Sequence, residues 1–255
     1  MTTINDTYIN ALLADASYVL GLLDGMGSGA LSAQLSLRMT LILAKYISDN
    51  FSVVSVSDPA IAGFNAVVWK GIDGKPYGGQ IYVSMRGTQE IIDFFHDADL
   101  ALHGMPHIQI ADMVNWWLRE TTRVGLPAMQ IQYDDLHIPS PIFVAAPSVI
   151  GTGLLSDVVA IHSVDGHSLG GYLATAFVRL FGNQWSTEQI NTFNSAGFNR
   201  IESSNIQNWY AQIAQIIGPQ KGFPDFVDVA AKQINNYAEN GQNFTTNDWN
   251  PVGFQ

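Results

Sequence analysis

Ser168 is the residue in this sequence whose surroundings best suit covalent chemistry. It lies in Gly166-His167-Ser168-Leu169-Gly170-Gly171, after the apolar, β-branched run 158–164 and before a stretch that places Tyr172, Ala176, Phe177 and Leu180 on one helical face. A serine on a sharp strand-to-helix turn adopts backbone angles that side chains disfavour. Glycine two positions before and after it lets such a turn close. This G-x-S-x-G arrangement lifts the hydroxyl clear of the sheet. The Leu169 N–H, at the start of the helix, can then face negative charge developing on an attacked carbonyl oxygen. The chemistry implied is acyl transfer through a serine nucleophile.

The rest of the chain must build a sheet beneath that turn. Residues 7–23 read as a helix with Ile9, Leu12, Leu13, Ala16, Val19 and Leu23 on one stripe and Asp6 as its cap. A glycine-rich loop over 24–29 precedes a second helix over 31–47, with Leu35, Met39, Ile42 and Tyr46 inward. Strands follow at 51–56, 64–69 and 80–85, the last two flanking the hairpin signal Asp73-Gly74. A helix over 110–124 turns Met113, Val114, Trp117 and Leu118 inward. Residues 125–152, proline-rich and with little periodicity, read as an insertion over the sheet edge that could wall an acyl site. Beyond Ser168, a strand is expected from Gln189, an amphipathic helix over 206–217, a helix over 225–234 and a short strand over 234–238.

Composition narrows the class. The 255 residues are 47% hydrophobic and only 13% charged, which suits one large domain with a sizeable core and excludes a disordered chain. A net charge of −11 argues against nucleic acid and against anionic membrane surfaces as partners. The absence of cysteine excludes a disulfide framework and a thiolate metal site. The first ten residues lack the basic start and apolar core of a signal peptide, and no run reaches 18 apolar residues. Taken alone, this favours the cytoplasm unless export uses a signal elsewhere.

The Gly-His-Ser-Leu-Gly-Gly string, with its strand and helix, resembles the α/β-hydrolase superfamily and more closely the class 3 lipases. Val83-Ser84-Met85-Arg86-Gly87-Thr88, running on to Asp93-Phe94-Phe95-His96-Asp97-Ala98-Asp99-Leu100, is similar to that family at the same place. Thr192-Phe193-Asn194-Ser195-Ala196-Gly197 resembles its Thr-Phe-X-X-Pro-Gly strand, with Ala196 in place of proline. The resemblance implies an α/β fold with a doubly wound, mostly parallel sheet and helices on both faces. It makes Thr88 the second oxyanion donor, beside Leu169, and puts a lid in the loop over 102–108. It also implies a lipid ester substrate, an apolar cleft near Leu100, Leu102, Met105, Phe198, Ile201 and Phe223, and contact with a lipid interface.

From about Tyr8 to Gln255 the chain looks like the amino-terminal, catalytic part of large bacterial secreted lipases that end in calcium-binding repeats. The Gly-Gly-X-Gly-X-Asp repeats themselves are not in this sequence. Calcium and that secretion route are therefore implied only if the protein continues; otherwise no cofactor or metal is expected.

A serine nucleophile needs a base, nearly always histidine, and an acid to orient it. In α/β-hydrolases the order is serine, acid, histidine. Here the histidines are His96, His103, His107, His137, His162 and His167, and none follows Ser168. Three explanations stand. The single domain over 1–255 is incomplete, its last strand and histidine lying past Gln255. Or His103 or His107, in the lid-like loop, swings over Ser168. Or the fold has lost its chemistry and serves as a binding module. For the acid, Asp248 is preferred by resemblance, with Glu239 the alternative. Asp225 and Asp228 fall in a helix's first turn, where they favour the helix dipole. The expected function is a serine carboxylic-ester hydrolase of the lipase or esterase kind, the alternative a silent hydrolase-fold binding module or an inactive fragment.

Overall fold

The computed structural model describes residues 4–57, 64–87, 105–195, 204–223 and 233–237. Within them the chain runs α1 (Ile4–Ala16), α2 (Ser28–Leu35), α3 (Leu41–Asn50), β1 (Phe51–Val56), β2 (Asn65–Gly71), β3 (Ile81–Arg86) and α4 (His107–Thr121). It continues with β4 (Pro127–Asp134), β5 (Ile142–Ile150), β6 (Ser163–His167), α5 (Leu169–Phe181), β7 (Gln189–Phe193), α6 (Ser204–Ile217) and β8 (Gln233–Tyr237).

Six strands form one sheet in the order β1-β2-β3-β6-β7-β8. β1, β2 and β3 are antiparallel neighbours, whereas β3, β6, β7 and β8 are parallel. This is an α/β architecture with helices on both faces, as the sequence leads one to expect. Side-chain alternation along β2 sorts the two layers. Val67 and Trp69 join Tyr82 of β3 in a core with Leu13, Leu31, Leu35 and Ile47 of the first three helices. Ala66 and Val68 face the other way, joining Val83 and Met85 in a larger core with Trp117, Phe177, Phe181 and Ile213. Burial on both faces is why these strands read as continuous apolar runs.

α1 spans the sheet and touches β3, β6 and β7. It also reaches the far edge, where Thr7 Oγ1 and the Tyr237 hydroxyl of β8 lie 2.9 Å apart.

Four expectations need correction. The first helix stops at Ala16 rather than at residue 23. There the Ser17 hydroxyl turns back onto the Ala14 carbonyl at 2.7 Å, and Tyr18 and Val19 make three-residue turns. Val19 still buries, but Leu23, expected on the same stripe, is 64% exposed and its neighbour Leu22 buries instead. The helix expected over 31–47 is two helices, because Thr40 is extended and caps α3 by accepting from the Leu43 N–H at 3.4 Å. Ile42, expected inside, is 82% exposed.

Residues 125–152 are mostly a two-stranded antiparallel sheet, β4 with β5, packed on α4 and α6. Its outer edges are closed by side chains. Asn115 of α4 donates to the Ile131 carbonyl at 2.9 Å and accepts from the Ile131 N–H at 2.7 Å, as a neighbouring strand would. Gln212 of α6 accepts from the Phe143 N–H at 2.9 Å. Lastly, the run 158–162 lies before β6, which begins only at Ser163.

Candidate functional site

The spacing of Gly166 and Gly170 predicts a strained turn at Ser168, and Ser168 has φ 56 and ψ −128. This conformation is rare for any residue with a Cβ and costs on the order of 1–3 kcal/mol. The surroundings hold it in place. The Ser168 N–H donates to the Phe193 carbonyl of β7 at 3.0 Å, and its carbonyl accepts from Gly171 at 2.9 Å. A Cβ on Gly166 would land on the Gly170 carbonyl, and one on Gly170 would land on the Met85 carbonyl of β3. Both glycines are therefore required by close approach rather than by positive φ. Ser168 is partly exposed at the end of the parallel strands.

Leu169 opens α5, so its N–H belongs to the first turn, whose N–H groups have no carbonyl four residues back within the helix to bind. The end of β3 lies directly against this turn. A Cβ on Gly87 would fall 2.9 Å from the Leu169 nitrogen, 3.0 Å from Ser168 Cβ and 2.8 Å from the His167 carbonyl oxygen. The strand thus delivers the chain beside the serine just before position 88. Thr88 itself, Asp248, Glu239, His96, His103, residues 225–232 of the helix expected over 225–234 and most of the expected cleft lie outside the described residues, while residues 233 and 234, expected to end that helix, open β8.

The four described histidines are held in place by other groups. His107, expected in a lid-like loop, is the first residue of α4 and fully buried, its ring stacked 4.1 Å from Tyr133 and edge-on to Trp209. His137 lies 3.8 Å from Asp134. His162 binds the Glu188 carboxylate through Nδ1 at 2.7 Å, at the opposite end of β6 from Ser168. His167 faces α1, and its Nδ1 lies 3.0 Å from the Tyr18 hydroxyl. Burial lowers the His167 pKa, so the ring is neutral near pH 7.

Two groups that sequence reading passed over emerge beside the turn. Tyr18, just past the end of α1, accepts from the Gly87 N–H at 2.9 Å and meets both the ring and the carbonyl of His167. Its ring lies under the Arg38 guanidinium at 4.8 Å, and Arg38 in turn pairs with Asp15 at 2.7 Å. With Ala11, Ala14 and Phe193 these residues line a cleft of about 250 Å³.

Asp165, three residues before the serine, is fully buried in the middle of the sheet. Ser163 donates to it at 2.5 Å and Asn191 at 3.1 Å, while Asn235 donates to Asn191 at 3.0 Å. Burial pushes the carboxyl up to about 8, against the lowering effect of those two donors. The available signal was the polar residue at every second position of β6, Ser163, Asp165 and His167, alternating with Val164 and Gly166. For Tyr18 no local signal existed.

Among the described residues no group of three or more His, Asp or Glu side chains converges as a cation site, and no helix is long and apolar enough to cross a membrane. Comparison with protein families and with curated proteins finds no match to this chain.

Proposed function

We propose that the chain is a serine carboxylic-ester hydrolase of α/β-hydrolase type, acting on lipid esters. The observation that carries this reading is Ser168 at φ 56 between a parallel strand and the first turn of a helix. A backbone strained at one partly exposed serine, and over-determined by glycines on both sides, is a costly feature that nucleophile presentation accounts for. In the proposed reaction Ser168 Oγ attacks the ester carbonyl carbon and its proton passes to a base. The carbonyl oxygen becomes an oxyanion held by the Leu169 N–H and by Thr88. Collapse expels the alcohol, and water then releases the acid from the acyl-serine. Asp248, or alternatively Glu239, orients the base. Losing one oxyanion donor costs about 10²–10³ in rate.

A second reading is a catalytically silent module of the same fold. It is favoured by the engagement of His107, His137, His162 and His167 with partners other than Ser168. A fluorophosphonate probe decides between the two. The proposed hydrolase is labelled on Ser168 and its Ser168→Ala variant is not. A chain left unlabelled at probe concentrations that saturate ordinary serine hydrolases is the silent module or a fragment without its base. Emulsified long-chain esters should be turned over faster than short soluble ones. The reverse order would replace lipid esters with small esters as the substrate class.

A further inference from the structure

We propose that Tyr18 is a positioning residue for the oxyanion site, its hydroxyl clamping the end of β3 to the serine turn. The proposal rests on the reading of Ser168 as a nucleophile. Two backbone segments meet at the site, and they come from different parts of the chain. One is the end of β3 at Gly87, the other the turn His167-Ser168-Leu169. Their separation sets the distance between any donor carried just past Gly87 and the Leu169 N–H. Backbone ladder bonds fix the two strands only as far as the Met85 and Gly166 pair. Past that pair no ladder bond joins β3 to β6, and the end of β3 must be held to the turn by other bonds.

The Tyr18 oxygen does so from the α1 side of the sheet. It accepts from the Gly87 N–H at 2.9 Å. Its own proton can go to His167 Nδ1 at 3.0 Å or to the His167 carbonyl at 3.3 Å. One phenol therefore bonds both loops at once, with the polarity each group needs. The bond also uses up the Gly87 N–H, so the donor role falls to the residue after it. Gly87 has little room to shift toward the turn, since even a Cβ added to it would fall 2.8 Å from the His167 carbonyl oxygen, 2.9 Å from the Leu169 nitrogen and 3.0 Å from Ser168 Cβ. The phenol blocks the opposite movement, away from the turn. The ring is itself fixed, edge-on to His167 at 5.8 Å and under Arg38 at 4.8 Å. A displacement of about 1 Å at such a site is enough to cost on the order of 10²-fold in rate.

The test uses the full chain, a fluorophosphonate probe, and the Tyr18→Phe and His167→Leu variants. Tyr18→Phe keeps the ring and removes only the clamping oxygen. The expected result is a maximal phosphonylation rate lowered roughly ten- to a hundredfold, with the half-saturating probe concentration within about twofold of the parent. The fraction of chains finally labelled should match the parent. His167→Leu removes the ring acceptor and leaves only the longer His167 carbonyl contact, so it should slow the reaction by a smaller factor and add no more than about twofold to Tyr18→Phe, through which it acts. His167→Leu also carries the test by itself if Tyr18→Phe does not fold. A parent rate in either folded variant, or effects that multiply in the double variant, overturns the clamp. So does a lower labelled fraction at unchanged rate, which is the mark of a merely structural role. A parent chain that is not labelled at all overturns the nucleophile reading, and the clamp with it.

Discussion

Asn191 donates to the Asp165 carboxyl at 3.1 Å across β6 and β7, in the middle of the sheet, where neither side chain is exposed. Ser163 donates to the same oxygen at 2.5 Å. These two hydrogen bonds favour the carboxylate, and burial opposes them and prevails, pushing the group up to about 8. The carboxyl is therefore mostly protonated at pH 7.

That raised value has a definite sign in stability. Below about pH 4 both folded and unfolded chains hold the proton, and the group's contribution is fully present. As pH climbs from about 4 toward 8 the unfolded chain releases the proton while the folded chain keeps it, so stability falls and levels off above 8. Asp165→Asn removes this titration with little change of shape. Urea unfolding should find the variant close to the parent at pH 4 and increasingly more stable toward pH 8, by on the order of 1 kcal/mol per pH unit at most. Parallel curves for the two proteins would show that Asp165 is ionised in the folded chain.

Strain at Ser168 makes a second prediction. Ser168→Ala removes the hydroxyl and keeps the Cβ, whereas Ser168→Gly removes both. At φ 56 and ψ −128 only glycine is relaxed. Ser168→Gly should be more stable than Ser168→Ala by about 1 kcal/mol, after allowing for the greater freedom of glycine when unfolded. Neither should react with a fluorophosphonate. Equal denaturation midpoints would mean that the turn is not strained.

Gly87→Ala should damage the site more than the fold. The added methyl meets the Leu169 nitrogen and Ser168 Cβ at 2.9 and 3.0 Å, so the end of β3 must retreat from the turn. The expected cost is about 1–3 kcal/mol of stability, with a loss of labelling rate of at least about tenfold. Retention of the full rate would place the oxyanion donors elsewhere.

Asn115→Ala tests the closure of the small sheet. It leaves the N–H and carbonyl of Ile131, a buried residue, without the amide that now serves both. Destabilisation of about 1–3 kcal/mol is expected, together with faster hydrogen exchange confined to β4. Unchanged exchange there would show that the Asn115 amide does not close this edge.

Most of the sheet could be read from local pattern. The strands over 51–56, 65–71, 81–86 and 189–193 were each bounded by turn residues, and the stripe Ile206, Trp209, Tyr210, Ile213 and Ile217 is buried as its spacing required. The turn at Ser168 was legible because steric conflict leaves a mark in sequence: glycine where backbones touch. Errors arose where tertiary contact overrode period. Val19 fits a helical stripe yet buries from a turn, Leu23 fits it and is exposed, and β4 and β5 lack clean alternation because so much of β5 is exposed. Tyr18 could not be recognised at all, since its partners Gly87 and His167 lie far along the chain and no spacing rule links them.

The grip of α1 has a consequence for how the molecule assembles. Thr7 meets Tyr237 across 230 positions of chain, and Tyr18 meets His167 across 149. During synthesis the first helix emerges long before either partner exists. Its apolar face must wait, uncovered or covered by α2 and α3 alone, until β6 and then β8 have left the ribosome. Closing such distant loops is slow, because the entropy of loop closure is spent before the contacts that reward it form. Maturation of the site should therefore be the last event in folding, and unusually dependent on whatever shields an exposed helix in the interval.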